Sequence, residues 1–189
     1  MTDARPPESI EVGLLLLRRW CAADAAALTD AISTSLDHLR PWMPWAAAEP
    51  VSVAERRGLL ARWDQGWEDR TELNYGLFLH GRVIGSAGLM ARIGPGGWEI
   101  GYWVHVDHVG RGHATAAARA LTDVAFGLPG TTHVEIHHDT ANVASGRVPA
   151  KLGYRLVGDE TDQVMAPAEV GVKRIWRTSR QAWTARHTP

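Results

Sequence analysis

Cysteine is all but missing from this chain of 189 residues: Cys21 stands alone, so no disulfide can close within it, and such usage fits a reducing, cytoplasmic compartment. Long apolar runs are missing as well. Leu14 to Leu17 is far too short to cross a bilayer and no apolar export segment opens the sequence, so a cytoplasmic protein without a membrane partner is expected. Blocks of like charge are absent, with 20 Lys and Arg set against 21 Asp and Glu and a formal net charge of -1. That balance argues against nucleic acid or an anionic membrane as a partner, because such binders carry a basic face or run. Internal repeats and low-complexity tracts are lacking too, apart from an alanine bias. Phenylalanine is scarce at two residues while tryptophan reaches nine. Pro41-Trp42-Met43-Pro44-Trp45 puts two of the indoles in a segment that proline keeps irregular. These rings either face a ligand or cap a core or a dimer contact.

With 45% hydrophobic and 22% charged residues, the chain can bury one substantial core, which predicts a single α/β domain over residues 10–180. Residues 1–9, with Pro6-Pro7, read as a flexible lead, and 181–189 as a tail. Val12 to Trp20 has the apolar run of a buried strand, and the alanine-rich segment from Cys21 to Leu36 reads as a helix. Ser52-Val53-Ala54-Glu55 is a capping box, followed by Leu59, Trp63 and Trp67 on one helical stripe. Three strands in a meander follow: Leu73 to His80, Val83 to Ala91 and Trp98 to Val106. Helix and strand then alternate. A helix from Gly112 to Leu128 precedes a strand from Val134 to His138, a short helix after Asn142, and strands over 154–157 and 172–178.

The segment with most chemical content is Gly110-Arg111-Gly112, which lies between a strand end and a helix start. Two residues without Cβ let successive backbone N–H groups converge on an anion, and the helix dipole and Arg111 add positive potential, so a pyrophosphate fits. Such glycines also serve as plain turn chemistry. A dinucleotide-binding fingerprint would need glycine at Thr115 in a βαβ unit, and a Walker loop would need Gly-Lys-Ser/Thr; the chain has neither. A metal site is not expected, because His137 and His138 point to opposite faces of their strand.

In their order, four segments resemble the GNAT superfamily of N-acetyltransferases, and within it the RimJ/RimL-like branch, named for enzymes that acetylate the N-termini of ribosomal proteins. They are Leu39 to Trp45, Glu99-Ile100-Gly101-Tyr102-Trp103-Val104, Gly110 to Thr115, and Asn142-Val143-Ala144-Ser145 with Lys151-Leu152-Gly153-Tyr154. Val109-Gly110-Arg111-Gly112-His113-Ala114 matches the family's pyrophosphate turn, Gln/Arg-x-x-Gly-x-Gly/Ala, except at Val109. Pro149 departs from a plain helix and predicts a bend. The resemblance implies a mixed, mostly antiparallel sheet of about seven strands, splayed in the middle and flanked by helices. Acetyl-CoA is the implied donor, an amine the acceptor and a homodimer the assembly. It also implies cofactor contacts at Trp103, Val104, Val106, the turn Val109 to Thr115, Asn142, Ser145 and Lys151, with Trp42, Met43 and Trp45 in the substrate loop.

Acetyl transfer needs a neutral amine, a polarised thioester carbonyl and a proton for the departing thiolate. Ser145 stands where the branch carries a hydroxyl for that thiolate; a surface serine is the plainer alternative. Asn142 fits a cofactor contact, a helix N-cap or both. Glu99 shares a strand face with Gly101 and Trp103, where a carboxylate could take a proton directly or through water, or could serve as a salt-bridged strand residue. His137 and His80 are the other candidate bases, and Tyr154 reads as a core aromatic. Keeping an α-amine of pKa about 8 neutral at pH 7 costs roughly 1 kcal/mol, against about 4 to 5 for lysine, which favours an α-amine acceptor. Amines of similarly low pKa on aminoglycosides or metabolites satisfy the same argument. A sensor that binds acyl-CoA without turnover is the alternative outside enzymes. Cys21 opens a helix far from these motifs and is not expected to act as a nucleophile.

Overall fold

A computed structural model describes residues 5–187. Its centre is an eight-stranded sheet in the order β1-β2-β3-β4-β5-β6-β8-β7. The strands are β1 (Ser9–Val12), β2 (Leu15–Arg19), β3 (Glu72–Leu79), β4 (Arg82–Met90), β5 (Gly97–Val104), β6 (His133–Asp139), β7 (Arg155–Thr161) and β8 (Val172–Ser179). All neighbours run antiparallel except β5 and β6, which pair in parallel over Gly97↔His133, Trp98↔Val134 and Glu99↔Glu135 and then part. β5 stays bonded to β4 as far as Val104 while β6 stays bonded to β8. A cleft therefore opens beyond Glu99.

Helices pack on both faces. On one lies α4 (His113–Gly127), whose buried Ala117, Ala118, Leu121 and Ala125 meet Leu73, Leu89, Trp98 and Ile100 of the sheet. Small residues let this helix lie close, and each fully buried large apolar side chain contributes about 1.5–3 kcal/mol. The other face carries α1 (Ala25–Ser33), the single turn α2 (Leu36–Leu39) and α3 (Val53–Glu68), with Leu28, Ile32 and Leu60 against Trp20, Phe78 and Trp103. The predicted capping box at the start of α3 is present: Ser52 Oγ accepts the Glu55 N–H at 3.2 Å, and Glu55 accepts the Ser52 N–H at 2.7 Å. Within the predicted stripe, Trp67 enters the core, whereas Leu59 and Trp63 are half-buried and line a cavity.

Several boundaries differ from the sequence reading. Gly13, at φ 60°, turns the expected strand back on itself, so Val12 to Trp20 becomes the β1/β2 hairpin and the sheet gains an eighth strand. The segment from Cys21 to Leu36 is broken into a 3-10 turn at Ala22–Asp24 and then α1 and α2. The expected tail forms α6 (Arg180–His187), because Trp183 is buried against Tyr154 and donates to Asp123 at 2.7 Å. α5 (Val143–Leu152) continues across Pro149 as one helix. It lies close on β6 at Gly146, where a Cβ would come within 2.8 Å of the His138 ring.

Candidate active site at the strand splay

Beyond Glu99, β5 presents Tyr102 and Val104 to one face and Gly101 and Trp103 to the other, as alternation requires. Two cavities use these residues. The first, of about 480 Å³, runs from the turn Val109, Gly110 and Gly112, past His113, Ala114 and Thr115, to Asn142, Ser145 and Lys151 of the α5 region, closed by Trp42 and Met43. The second, of about 730 Å³, lies on the opposite face between β3–β5 and the α1/α3 side, and includes Met43, Trp45, Trp63 and Met90. Met43, Tyr102 and Trp103 line both. The cavities meet there.

The turn has the geometry of an anion cradle. Gly110 and Gly112 sit at φ 73° and 84°, and Gly112 is the N-cap of the 15-residue α4. An added Cβ at either would stand in open space, so the requirement for glycine is backbone conformation rather than room. Buried ring nitrogens of two histidines beside it, Nδ1 of His108 and Nε2 of His113, have no hydrogen-bond partner. Burial first, and then Arg111, lowers the pKa of both rings. Two unpartnered ring nitrogens and a left-handed turn at a helix start leave polar groups for a ligand to satisfy, and the helix start fits a diphosphate.

Asn142 accepts the Ser145 N–H at 3.0 Å and so caps α5 while lining the first cavity. Tyr102 Oη donates to the Ser145 carbonyl at 3.0 Å and lies 3.2 Å from Ser145 Oγ. Burial pushes this phenol up to about 12. Tyr154 is a core residue whose hydroxyl meets Thr122. Val106 and Arg111 do not line the cavity: the Val106 N–H is taken by Ser35 Oγ at 3.0 Å, and Arg111 is exposed between its glycines.

Glu99 lies elsewhere. It is buried at the apex of the splay and accepts from Arg92 Nε at 2.8 Å and Nη2 at 2.6 Å. His137 Nδ1 is 3.6 Å away, and its Nε2 meets Glu135 at 2.5 Å, with Arg177 also donating to Glu135. Glu99 and His137 line a polar cavity of about 300 Å³ that shares only Arg92 with the second cavity. The structure thus gathers Ser145 with the turn residues and leaves Glu99 three residues back along β5, roughly 10 Å at strand spacing. His80 lies in the β3/β4 turn at φ 49°, away from all three cavities. Sequence reasoning gave no role to Tyr102 or Arg92. Tyr102 was detectable, since alternation sets it opposite Glu99, but Arg92 follows β4 in a loop where no periodicity places a side chain.

The model for the acetyltransferase (GNAT) domain matches residues 15–155. The protein named "Putative ribosomal N-acetyltransferase YdaF" of Bacillus subtilis (strain 168) is 27% identical over 141 residues, covering 74% of this chain and 76% of that one. RimL, a ribosomal L7/L12 alpha-N-protein acetyltransferase solved with coenzyme A, superposes with a TM-score of 0.84 over 93% of this chain and 99% of its own, at 19% identity. Mycobacterium smegmatis RimJ, solved with a CoA disulfide, gives 0.79 over 88% and 82%, at 22% identity. With an anion cradle at a helix start, a cleft between splayed parallel strands and a family match over most of its length, this chain belongs to the GNAT acetyltransferases, which use acetyl-CoA.

Proposed function

We propose that this acetyltransferase moves the acetyl group to the α-amine at the N-terminus of a peptide or protein, by direct transfer in a ternary complex. The observation that carries the reading is the meeting of the two cavities at Met43, Tyr102 and Trp103, which gives donor and acceptor separate entrances to one point. Acetyl-CoA supplies a thioester, whose carbonyl carbon forms the new bond to nitrogen as its bond to sulfur breaks. The backbone N–H groups of Gly110 and Gly112, with the dipole of α4, hold the diphosphate. Asn142 and Lys151 contact the donor along the first cavity, and Trp42, Met43 and Trp45 form the wall between donor and acceptor.

Glu99 takes the amine proton, in our reading, through water that spans the distance to the junction. Each of its carboxylate oxygens accepts one bond from Arg92, and with His137 Nδ1 3.6 Å from Oε2, Oε1 keeps a lone pair for such a water. A carboxylate acceptor suits an α-amine, whose neutral form costs only about 1 kcal/mol at pH 7. Ser145 Oγ–H, which rests on Tyr102 Oη while that phenol donates to the Ser145 carbonyl, turns to hydrogen-bond the departing sulfur during transfer. The names of the ribosomal N-acetyltransferase relatives support an α-amine acceptor. We also infer a cytoplasmic homodimer. The lone exposed Cys21 supports the compartment, and Leu156 and Val157, exposed on edge strand β7, support the pairing.

A thiol-release assay with acetyl-CoA, offering N-terminal peptides beside aminoglycosides and simple amines, tests the reading. Turnover with peptides is expected. Turnover confined to small amines would transfer the activity to that class, and binding without thiol release across the whole panel would make the chain a sensor.

A further inference from the structure

We infer that the acceptor is a primary amine whose adjoining substituent is bulky and apolar, above all an N-terminal aromatic residue, rather than the small residue that a shallow acceptor site would select. This rests on the second cavity being the acceptor site. Its α1/α3 side brings a cluster of Leu28, Ile32, Leu59 and Trp63, with Trp45 and Met90, to a space of about 730 Å³, while Glu55, Arg56 and Arg62 of α3 also border it; Arg56 is paired with Glu49 and Glu55 is bonded to Ser52. That volume lies within the range of pockets that enclose most of a drug-sized ligand. A seryl or alanyl side chain would leave these walls against water.

The opposite side has a different character. There the sheet offers Glu72 and Asn74 of β3, with Asn74 Nδ2 donating to Glu72 at 3.2 Å. Ser86 is already committed, donating to the Tyr75 carbonyl at 2.9 Å and accepting from Trp20 Nε1 at 3.2 Å. A polar strip and an apolar cluster orient a ligand, with its amine at the junction, its main chain running toward Asn74 and Glu72 and its side chain toward Leu28, Ile32, Leu59 and Trp63. Trp45 stands 6.2 Å, centroid to centroid, from Trp103, tilted at 56°, so an indole borders the junction where the amine must arrive. A polyhydroxylated amine would lose water from the hydroxyls that meet Leu28, Ile32 and Leu59, with replacement hydrogen bonds only for those that reach Glu55, Arg62 or the Glu72 strip. The wall disfavours aminoglycosides.

The test is a series of otherwise identical lysine-free pentapeptides beginning with Ser, Ala, Leu, Phe or Trp, assayed for kcat/KM with acetyl-CoA. Phenylalanine amide and 2-phenylethylamine serve as non-peptide arms. Phe- and Trp-started peptides are expected to exceed the Ser-started one by on the order of ten- to hundredfold. Met90→Trp, which fills the cavity, should bring that ratio to about one, with acetyl-CoA binding by calorimetry checking that the variant is folded. The two free amines decide whether a peptide bond is needed: activity with both assigns free arylalkyl amines to the class, and activity only with peptides confines it to polypeptides. A flat or reversed series in the wild type, or a ratio unmoved by Met90→Trp in folded protein, overturns the inference while leaving α-amine transfer intact. Failure to acetylate any peptide or amine removes α-amine transfer itself, and the inference with it.

Discussion

Replacing Tyr102 by Phe removes one oxygen and little else, yet that oxygen makes two contacts to Ser145, at 3.0 Å to its carbonyl and 3.2 Å to its hydroxyl. Because burial pushes the phenol up to about 12, it remains protonated at every working pH and acts as a hydrogen-bond partner rather than as a base. Each lost hydrogen bond is worth about 0.5–1.5 kcal/mol net, so the two together amount to about 1–3 kcal/mol. At 1.36 kcal/mol per factor of ten, full expression of that loss in the transition state lowers kcat by roughly five- to 150-fold. KM for acetyl-CoA should change little, since Gly110, Gly112 and Asn142, which we propose hold the donor, are untouched. The assay is thiol release at saturating acceptor with Tyr102→Phe, Ser145→Ala and the double variant. If Tyr102 works by positioning Ser145, the double variant is no slower than Ser145→Ala alone. Additive losses, or a Tyr102→Phe enzyme with the wild-type kcat, would refute the reasoning.

Gly112→Ala places a Cβ at φ 84° in open space, so strain rather than collision should cost about 1–2 kcal/mol of stability. Chemical denaturation reads that loss, and calorimetry should show weakened coenzyme A binding alongside it. Trp183→Ala deletes a ring packed on Tyr154 and its bond to Asp123, with an expected cost of about 3–5 kcal/mol in urea unfolding; under 1 kcal/mol would mean that α6 is peripheral. His138 donates through Nδ1 to the Asp139 carbonyl at 2.7 Å and accepts through Nε2 from Trp176 at 3.1 Å, which fixes the neutral tautomer. Burial is the largest cause of its lowered pKa, with Arg174 adding to the effect while Asp139 and Asp159 oppose it. The neutral ring stabilises the fold fully above the ordinary value of about 6.5, and that contribution fades as pH falls through the depressed value, by at most about 1.36 kcal/mol per pH unit. Urea midpoints should therefore drop between pH 7.5 and 5.0, and less steeply in His138→Gln; equal slopes would discount the histidine.

Much of this architecture is visible in the residues because local rules and tertiary packing agree. Ser52 and Glu55 form the box that their spacing announces, and Gly110 and Gly112 adopt the left-handed conformations that a strand-to-helix anion turn requires. Where the reading slipped, a tertiary contact decided. Nothing local about residues 181–189 marks a helix, because α6 is held by Trp183 reaching α4 and Tyr154 from a distance. Leu59 and Trp63 show helical periodicity, but no pattern says whether such a stripe faces core or cavity. Alternation sets Glu99 on the Gly101 and Trp103 side, but its clamp by Arg92 is out of sight of the sequence, since a loop arginine has no periodic address.

The most direct test is to offer the enzyme a peptide with a free N-terminus and one internal lysine, and to locate the acetyl group by fragmentation mass spectrometry at pH 7. With Glu99 proposed as the proton acceptor, an amine that costs only about 1 kcal/mol to hold neutral predicts acetyl on the N-terminal nitrogen and none on lysine. Acetyl on the lysine side chain, with the N-terminus left free, would contradict the account.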